Sequence, residues 1–177
     1  VGTYKAYAGV GNRDTPSDIL EEMSNIARGL SKLGYVVRTN GSDVPGNTFE
    51  SNSDKIELFL PWKNFNKKKS RYATPTDEAF EVAKRYSVVF DTLPRHVQAL
   101  IACNSNVVLG ENLRDPVLFV LCWTPDGVES SKNCTARTGI MSQAIKIADT
   151  HGIPVFNLQN TTSRTRLKEF LQKVESK

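Results

Sequence analysis

Arg13 is the residue of this chain whose neighbours best suit it to chemistry, because it follows Gly9-Val-Gly11-Asn12, a glycine-bearing turn that ends an apolar run. Small residues let an anion come close to the backbone, and a guanidinium at the lip of such a turn adds a charged donor for a phosphate. Gly9, Gly11, Asn12 and Arg13 are therefore the first set of candidate ligand contacts, with an ordinary surface arginine as the alternative. Gly41, Ser42 and Asp43 form a second set. Arg137, Thr138 and Gly139 form a third, placed just before a helical pattern whose exposed amides would attract an anion. Asp43 and Glu50 can accept hydrogen bonds from sugar hydroxyls, and a carboxylate beside an anomeric carbon stabilises an oxocarbenium-like transition state. Glu50 is on this ground the candidate catalytic residue. The competing explanations are helix capping for Asp43 and a solvated helix face for Glu50.

Trp62 and Trp123 each follow the end of an expected strand. There an indole either stacks on a base, worth about 1–3 kcal/mol, or closes the end of the core. Lys63, Lys67, Lys68, Lys69 and Arg71 fall within nine residues in a chain of net charge +4. Such a run is either a solvated loop or a backbone contact for nucleic acid, and the second reading predicts affinity that falls steeply with salt. Cys103, Cys122 and Cys134 make no complete disulfide set and show no metal-ligand spacing. His96 and His151 have no nucleophile pattern near them. No metal and no cofactor is therefore expected.

Positioning these loops requires a regular scaffold, and the apolar pattern supplies one. Residues 5–10 read as a strand that stops at glycines. Thr15 and Pro16 read as the cap and first residue of a helix whose stripe Ile19, Met23, Ile26, Leu30 and Leu33 recurs at 4,3,4,3 spacing before Gly34. Residues 35–39 then read as a buried strand, completing a βαβ unit with a right-handed crossover and parallel strands. A short helix is expected around residues 48–50, a third strand at 56–60, and a long exposed loop at 61–73. Helices are expected from the Thr74-Pro75-Thr76-Asp77 cap through Tyr86 and over residues 94–103. The apolar run at 116–123 reads as a strand covered on both faces, followed by a helix at 140–150, a strand at 153–157 and a closing helix at 164–175. This order predicts an α/β, Rossmann-like three-layer sandwich: a mostly parallel sheet of about five strands with helices on both faces. In such sheets ligands bind beyond the carboxyl ends of the strands, so the candidate loops should converge there.

At 177 residues, with 39% hydrophobic and 24% charged residues, the chain reads as one globular domain over 1–177. No apolar run approaches the length of a membrane span, and the opening residues show no basic region followed by an apolar segment. A cytoplasmic protein that does not use the membrane is the expectation.

Tyr7-Ala-Gly-Val-Gly-Asn-Arg13, Arg38-Thr-Asn-Gly-Ser-Asp43 with Phe49-Glu50, Leu60-Pro-Trp62, Cys122-Trp-Thr-Pro-Asp-Gly127, Thr138-Gly139 with Gln143-Ala-Ile145, and Ile153-Pro-Val-Phe-Asn-Leu158 follow one another in a suggestive order. In that order they resemble the short, phage-type relatives of DNA-processing protein A (DprA-like), within the SLOG group that also holds the LOG-like phosphoribohydrolases. The resemblance covers roughly residues 5 to 158. It implies a nucleotide or nucleotide-derived ligand, a phosphorylated ribosyl compound, at the crest of the sheet. It further implies bacteriophage origin, a homodimer, and a possible host protein as partner. Two alternatives come with it: a hydrolase acting as an N-glycosidase on nucleoside 5'-monophosphates, and DNA binding of the single-stranded, DprA-like kind. The PGGxGTxxE signature of the LOG-type enzymes is absent as such, and Asn40 and Val44-Pro45 make the second loop bulkier than the family pattern.

Overall fold

Ala6, Tyr7, Ala8 and Gly9 are buried on both sides, as a central parallel strand requires, and they form β1 (Ala6–Gly9). The computed structural model describes residues 4–177. From β1 the chain enters α1 (Ser17–Lys32), then β2 (Val36–Thr39), the short α2 (Gly46–Ser51) and β3 (Ile56–Leu58). It then crosses back through α3 (Asp77–Arg85) and α4 (Arg95–Leu109) to β4 (Val120–Cys122). The closing elements are α5 (Met141–Thr150), β5 (Val155–Asn157) and α6 (Ser163–Glu175).

The sheet has five strands in the order β3-β2-β1-β4-β5, and each adjacent pair is parallel. Tyr7 lies opposite Val37, and Ala8 opposite Val120. Alternation along the strands feeds two cores. Tyr7, Val37, Phe119, Leu121 and Phe156 pack against α1, α2 and α6, with Tyr7 and Phe119 stacked at 5.2 Å. Ala6, Ala8, Val36, Val120, Cys122 and Val155 pack against α4 and α5. Small residues let α3 lie close against α4, through Ala79, Ala83 and Ala102. The fold is therefore a three-layer, Rossmann-like α/β sandwich. Among the described residues no helix is long and apolar enough to cross a membrane.

Three local expectations are corrected. Thr15 does not cap α1, whose N-cap is Pro16 without a side-chain bond; the Thr15 hydroxyl instead donates to the Asn12 carbonyl. Helix α4 does not stop at Cys103 but runs on to Leu109. Asn104, Ser105 and Asn106 are poor helix formers because their side chains compete for the backbone. Here each is buried with a hydrogen-bond partner instead: Asn40 for Asn104, Gln143 for Ser105, and, locally, the carbonyls of Gly110 and Glu111 for Asn106. The loop at 61–73 is not simply an exposed excursion. Pro61 is buried, a 3₁₀ turn forms at Phe65–Lys67, and Tyr72 returns to bridge Phe59, the two rings stacked at 4.4 Å.

Candidate functional site

Strand order reverses beside β1: the chain winds outward through β2 and β3, then returns to place β4 on the other side. At such a switch point the connecting loops part and leave a crevice at the strand carboxyl ends. A cleft of about 660 Å³ lies over these ends. It is walled by the loop after β1 (Gly11, Asn12, Arg13, Asp14), the loop after β2 (Asn40, Ser42, Asp43, Val44), the turn carrying Phe65 and Asn66, Leu100 and Asn104 of α4, and the start of α5 (Thr138 to Met141). The apolar groove between α1 and α6, about 580 Å³, lies on an outer helical face where no such loops converge.

Each wall is held by identifiable bonds. The Asn12 amide donates to the Trp123 carbonyl at 3.3 Å, which ties the first loop to β4, and Asn12 Oδ1 accepts the Asp14 amide at 2.8 Å. Asn40 Oδ1 accepts the Ser42 amide at 3.2 Å, while Ser42 Oγ accepts the Gly46 amide at 3.3 Å. Gly41 has φ +77°, and a Cβ there would meet Leu60 at 2.5 Å, so this turn requires glycine. The turn at Phe65 is clipped onto the second loop by Asn66 Nδ2, which donates to the Gly41 carbonyl at 3.0 Å. Lys68 Nζ adds a bond to the Ser42 carbonyl at 3.1 Å.

At the far wall, Thr135 and Thr138 form a reciprocal capping box before α5. Asp126 gathers the hydroxyls of Thr124 at 2.7 Å, Thr135 at 2.8 Å and Thr138. Burial pushes the Asp126 carboxyl up, but the three hydroxyls outweigh it and hold the group below the usual carboxylate range. Asn157, fully buried at the end of β5, donates to the Thr124 hydroxyl at 2.6 Å and to the Val128 carbonyl at 3.0 Å. Asp126 and Asn157 therefore rigidify the loop that carries the α5 start. Neither was singled out from the sequence, although an aspartate two residues after a threonine in Thr124-Pro-Asp126-Gly is a recognisable turn signal.

Of the residues expected to meet a ligand, Gly11, Asn12, Arg13, Ser42, Asp43, Thr138 and Gly139 are brought together around the cleft. The Thr138 proton is spent on Asp126, so that side chain offers a ligand no donor. Gly9 stands behind the wall: a Cβ there would meet the Phe49 ring at 2.7 Å, so its smallness serves the approach of α2. Gly41 likewise packs against Leu60 and Phe65. Trp123 is corrected to a core residue, 6% exposed, its Nε1 donating to Gln159 at 2.9 Å. Trp62 also lies outside the cleft; it meets Phe65 edge-on at 4.8 Å, and it is Phe65 that lines the cavity. Arg137 is exposed on the capping turn and does not line it.

Glu50 is not part of the lining either. Its Oε2 is held by Lys68 Nζ at 2.6 Å, which ties the carboxylate to the 65–68 turn and takes Lys68 out of the free basic run. Arg71 stacks over Tyr72 at 4.6 Å, beside a separate small cavity. Lys63, Lys67 and Lys69 are exposed, and no carboxylate among the described residues pairs with them. Sequence reasoning missed Leu100, Asn104 and Met141, which reach the site only through packing of α4 and α5. Among the described residues no group of three His, Cys, Asp or Glu side chains is arranged to hold a metal ion. No protein-family model matches the chain, and no curated protein or solved structure matches it.

Proposed function

We propose that the chain binds a nucleotide or nucleotide-derived ligand in the strand-end cleft. The observation that carries this reading is the convergence of five separate segments on one cavity of about 660 Å³, large enough for a ligand of that class, with neutral amides inside and Arg13 at the first loop. Arg13 receives the phosphate, and Ser42 and Asp43 receive sugar hydroxyls. The charged lining is one guanidinium, Arg13, against two carboxylates, Asp14 and Asp43, a balance that disfavours long polyphosphates. Titration calorimetry with a panel of nucleoside monophosphates tests the reading. Arg13→Ala should weaken binding at least about tenfold, the loss of one charge-assisted hydrogen bond. Unchanged affinity in that variant would remove Arg13 from the site.

A second reading, contact with single-stranded DNA, is favoured by one observation: Lys63, Lys67 and Lys69 are exposed beside Trp62, which is 38% exposed. Replacing the three lysines with glutamine should lower affinity for an oligonucleotide and flatten its salt dependence, while leaving mononucleotide binding in the cleft intact. Oligonucleotide affinity that is unaffected by the triple change would dismiss this second reading.

A further inference from the structure

Asn104 is 1% exposed, yet it borders the cleft. Its orientation follows from a chain of bonds that begins at a group with no choice. The Ser42 amide can only donate, so the Asn40 oxygen must accept it, at 3.2 Å. Asn40 therefore turns its Nδ2 toward α4, where it donates to Asn104 Oδ1 at 3.0 Å. Asn104 Oδ1 thus already carries one donor, and its Nδ2 has no acceptor among the described residues. An amide nitrogen left in this state at the cleft wall is open to an acceptor from whatever fills the cleft.

The surroundings narrow that acceptor. Phe65, Leu100, Ile140 and Met141 supply apolar lining, and the one cation of the lining is Arg13, on the exposed first loop. An oxyanion placed against Asn104 would lose its water without gaining a counter-charge, so the acceptor is neutral. Asparagine reads adenine by giving its oxygen and its nitrogen together. Here Asn40 already donates to that oxygen, so an adenine amino group would have to share it, whereas the nitrogen is wholly free. An exocyclic amino group would set donor against donor, whereas a ring carbonyl satisfies the free nitrogen.

We infer that Asn104, oriented by Asn40, makes the cleft selective for bases that present a carbonyl, such as hypoxanthine, guanine and uracil, over bases that present an amino group at the same ring position. The inference rests on the nucleotide-binding reading above. Asn104 is the specificity-determining residue and Asn40 its positioning residue.

Calorimetry with two matched pairs, inosine against adenosine 5'-monophosphate and uridine against cytidine 5'-monophosphate, separates base selectivity from binding itself. Within each pair the carbonyl ligand should bind about tenfold tighter. Asn104→Leu should abolish the discrimination. Asn40→Asp offers only acceptors to Asn104, so Asn104 should turn its nitrogen toward the introduced carboxylate and its oxygen to the cleft, reversing the preference within each pair. The reversal is a change of sign that loss of structure does not produce, and circular dichroism confirms that each variant is folded. Binding without discrimination, a preference for the amino ligand in the unaltered chain, or discrimination that survives Asn104→Leu would overturn the inference and leave nucleotide binding standing. Binding of none of the four ligands would overturn both.

Discussion

The Arg38 guanidinium, 1% exposed, is held by Asp115, whose carboxylate remains 57% exposed. Nη2 reaches Asp115 Oδ2 at 2.7 Å and Nη1 reaches the Asp115 carbonyl at 2.5 Å, joining β2 to the segment that precedes β4. Glu57 adds a bond to Nε at 3.2 Å. Burial pulls the guanidinium down from its ordinary pKa, and the Asp115 carboxylate opposes that pull.

This pair is asymmetric, and the asymmetry is measurable. Asp115→Ala leaves a buried cation short of a partner and should cost about 2–3 kcal/mol in urea unfolding. Arg38→Met keeps most of the volume and leaves no buried charge, since the Asp115 and Glu57 carboxylates are reached by water and the Asp115 carbonyl and Tyr4 hydroxyl that lose a donor are neutral, so it should cost less than Asp115→Ala. The reverse ranking would show that Arg38 contributes chiefly through packing.

Gly9 and Phe49 should behave as one unit. Gly9→Ala places a Cβ 2.7 Å from the Phe49 ring, an overlap expected to cost about 1–3 kcal/mol. Phe49→Leu makes room, so the double variant should lose less than the sum of the two single losses. Strict additivity in the cycle would mean that the backbone, and not the ring, absorbs the clash.

Thr39 ends β2 fully buried, and its hydroxyl has no partner among the described residues. Thr39→Val retains the branched shape that suits a strand and removes the unpaired group. Thermal unfolding should show a gain of about 1 kcal/mol, with ligand affinity in the cleft unaltered. A loss of stability would place an ordered partner on that hydroxyl.

Asp126 connects the cleft wall to pH. Its folded pKa lies below the ordinary value of 3.8, so it binds its proton less readily in the folded chain than in the unfolded one. Its contribution to stability is therefore complete above about pH 4 and is lost as pH falls through the folded value. The stability difference between the unaltered chain and Asp126→Asn should be constant from neutral pH down to that point, then shrink in more acidic urea titrations. A difference that stays constant into strong acid would mean that the carboxylate charge plays no part in the cap.

What the sequence determined by itself was the layering and the position of the loops. The 4,3,4,3 stripe of α1, the both-sides-apolar runs of β1 and β4, and the glycine or threonine signals at element ends are local patterns, and local sterics and burial are enough to read them. That the Arg13, Ser42 and Thr138 segments share one cleft follows from the parallel order alone. What only the tertiary structure decided was the use of side chains whose partners lie far along the chain. Lys68 meets Glu50, Trp123 meets Gln159, and Asn40 meets Asn104, 64 residues away. Asn104, Ser105 and Asn106 look like a helix end until α5, the β2 loop and the 110–111 carbonyls supply their hydrogen bonds. A polar side chain has no preferred orientation until a partner is brought to it, and the approach of such partners is set by the packing of the layers, which no local pattern encodes.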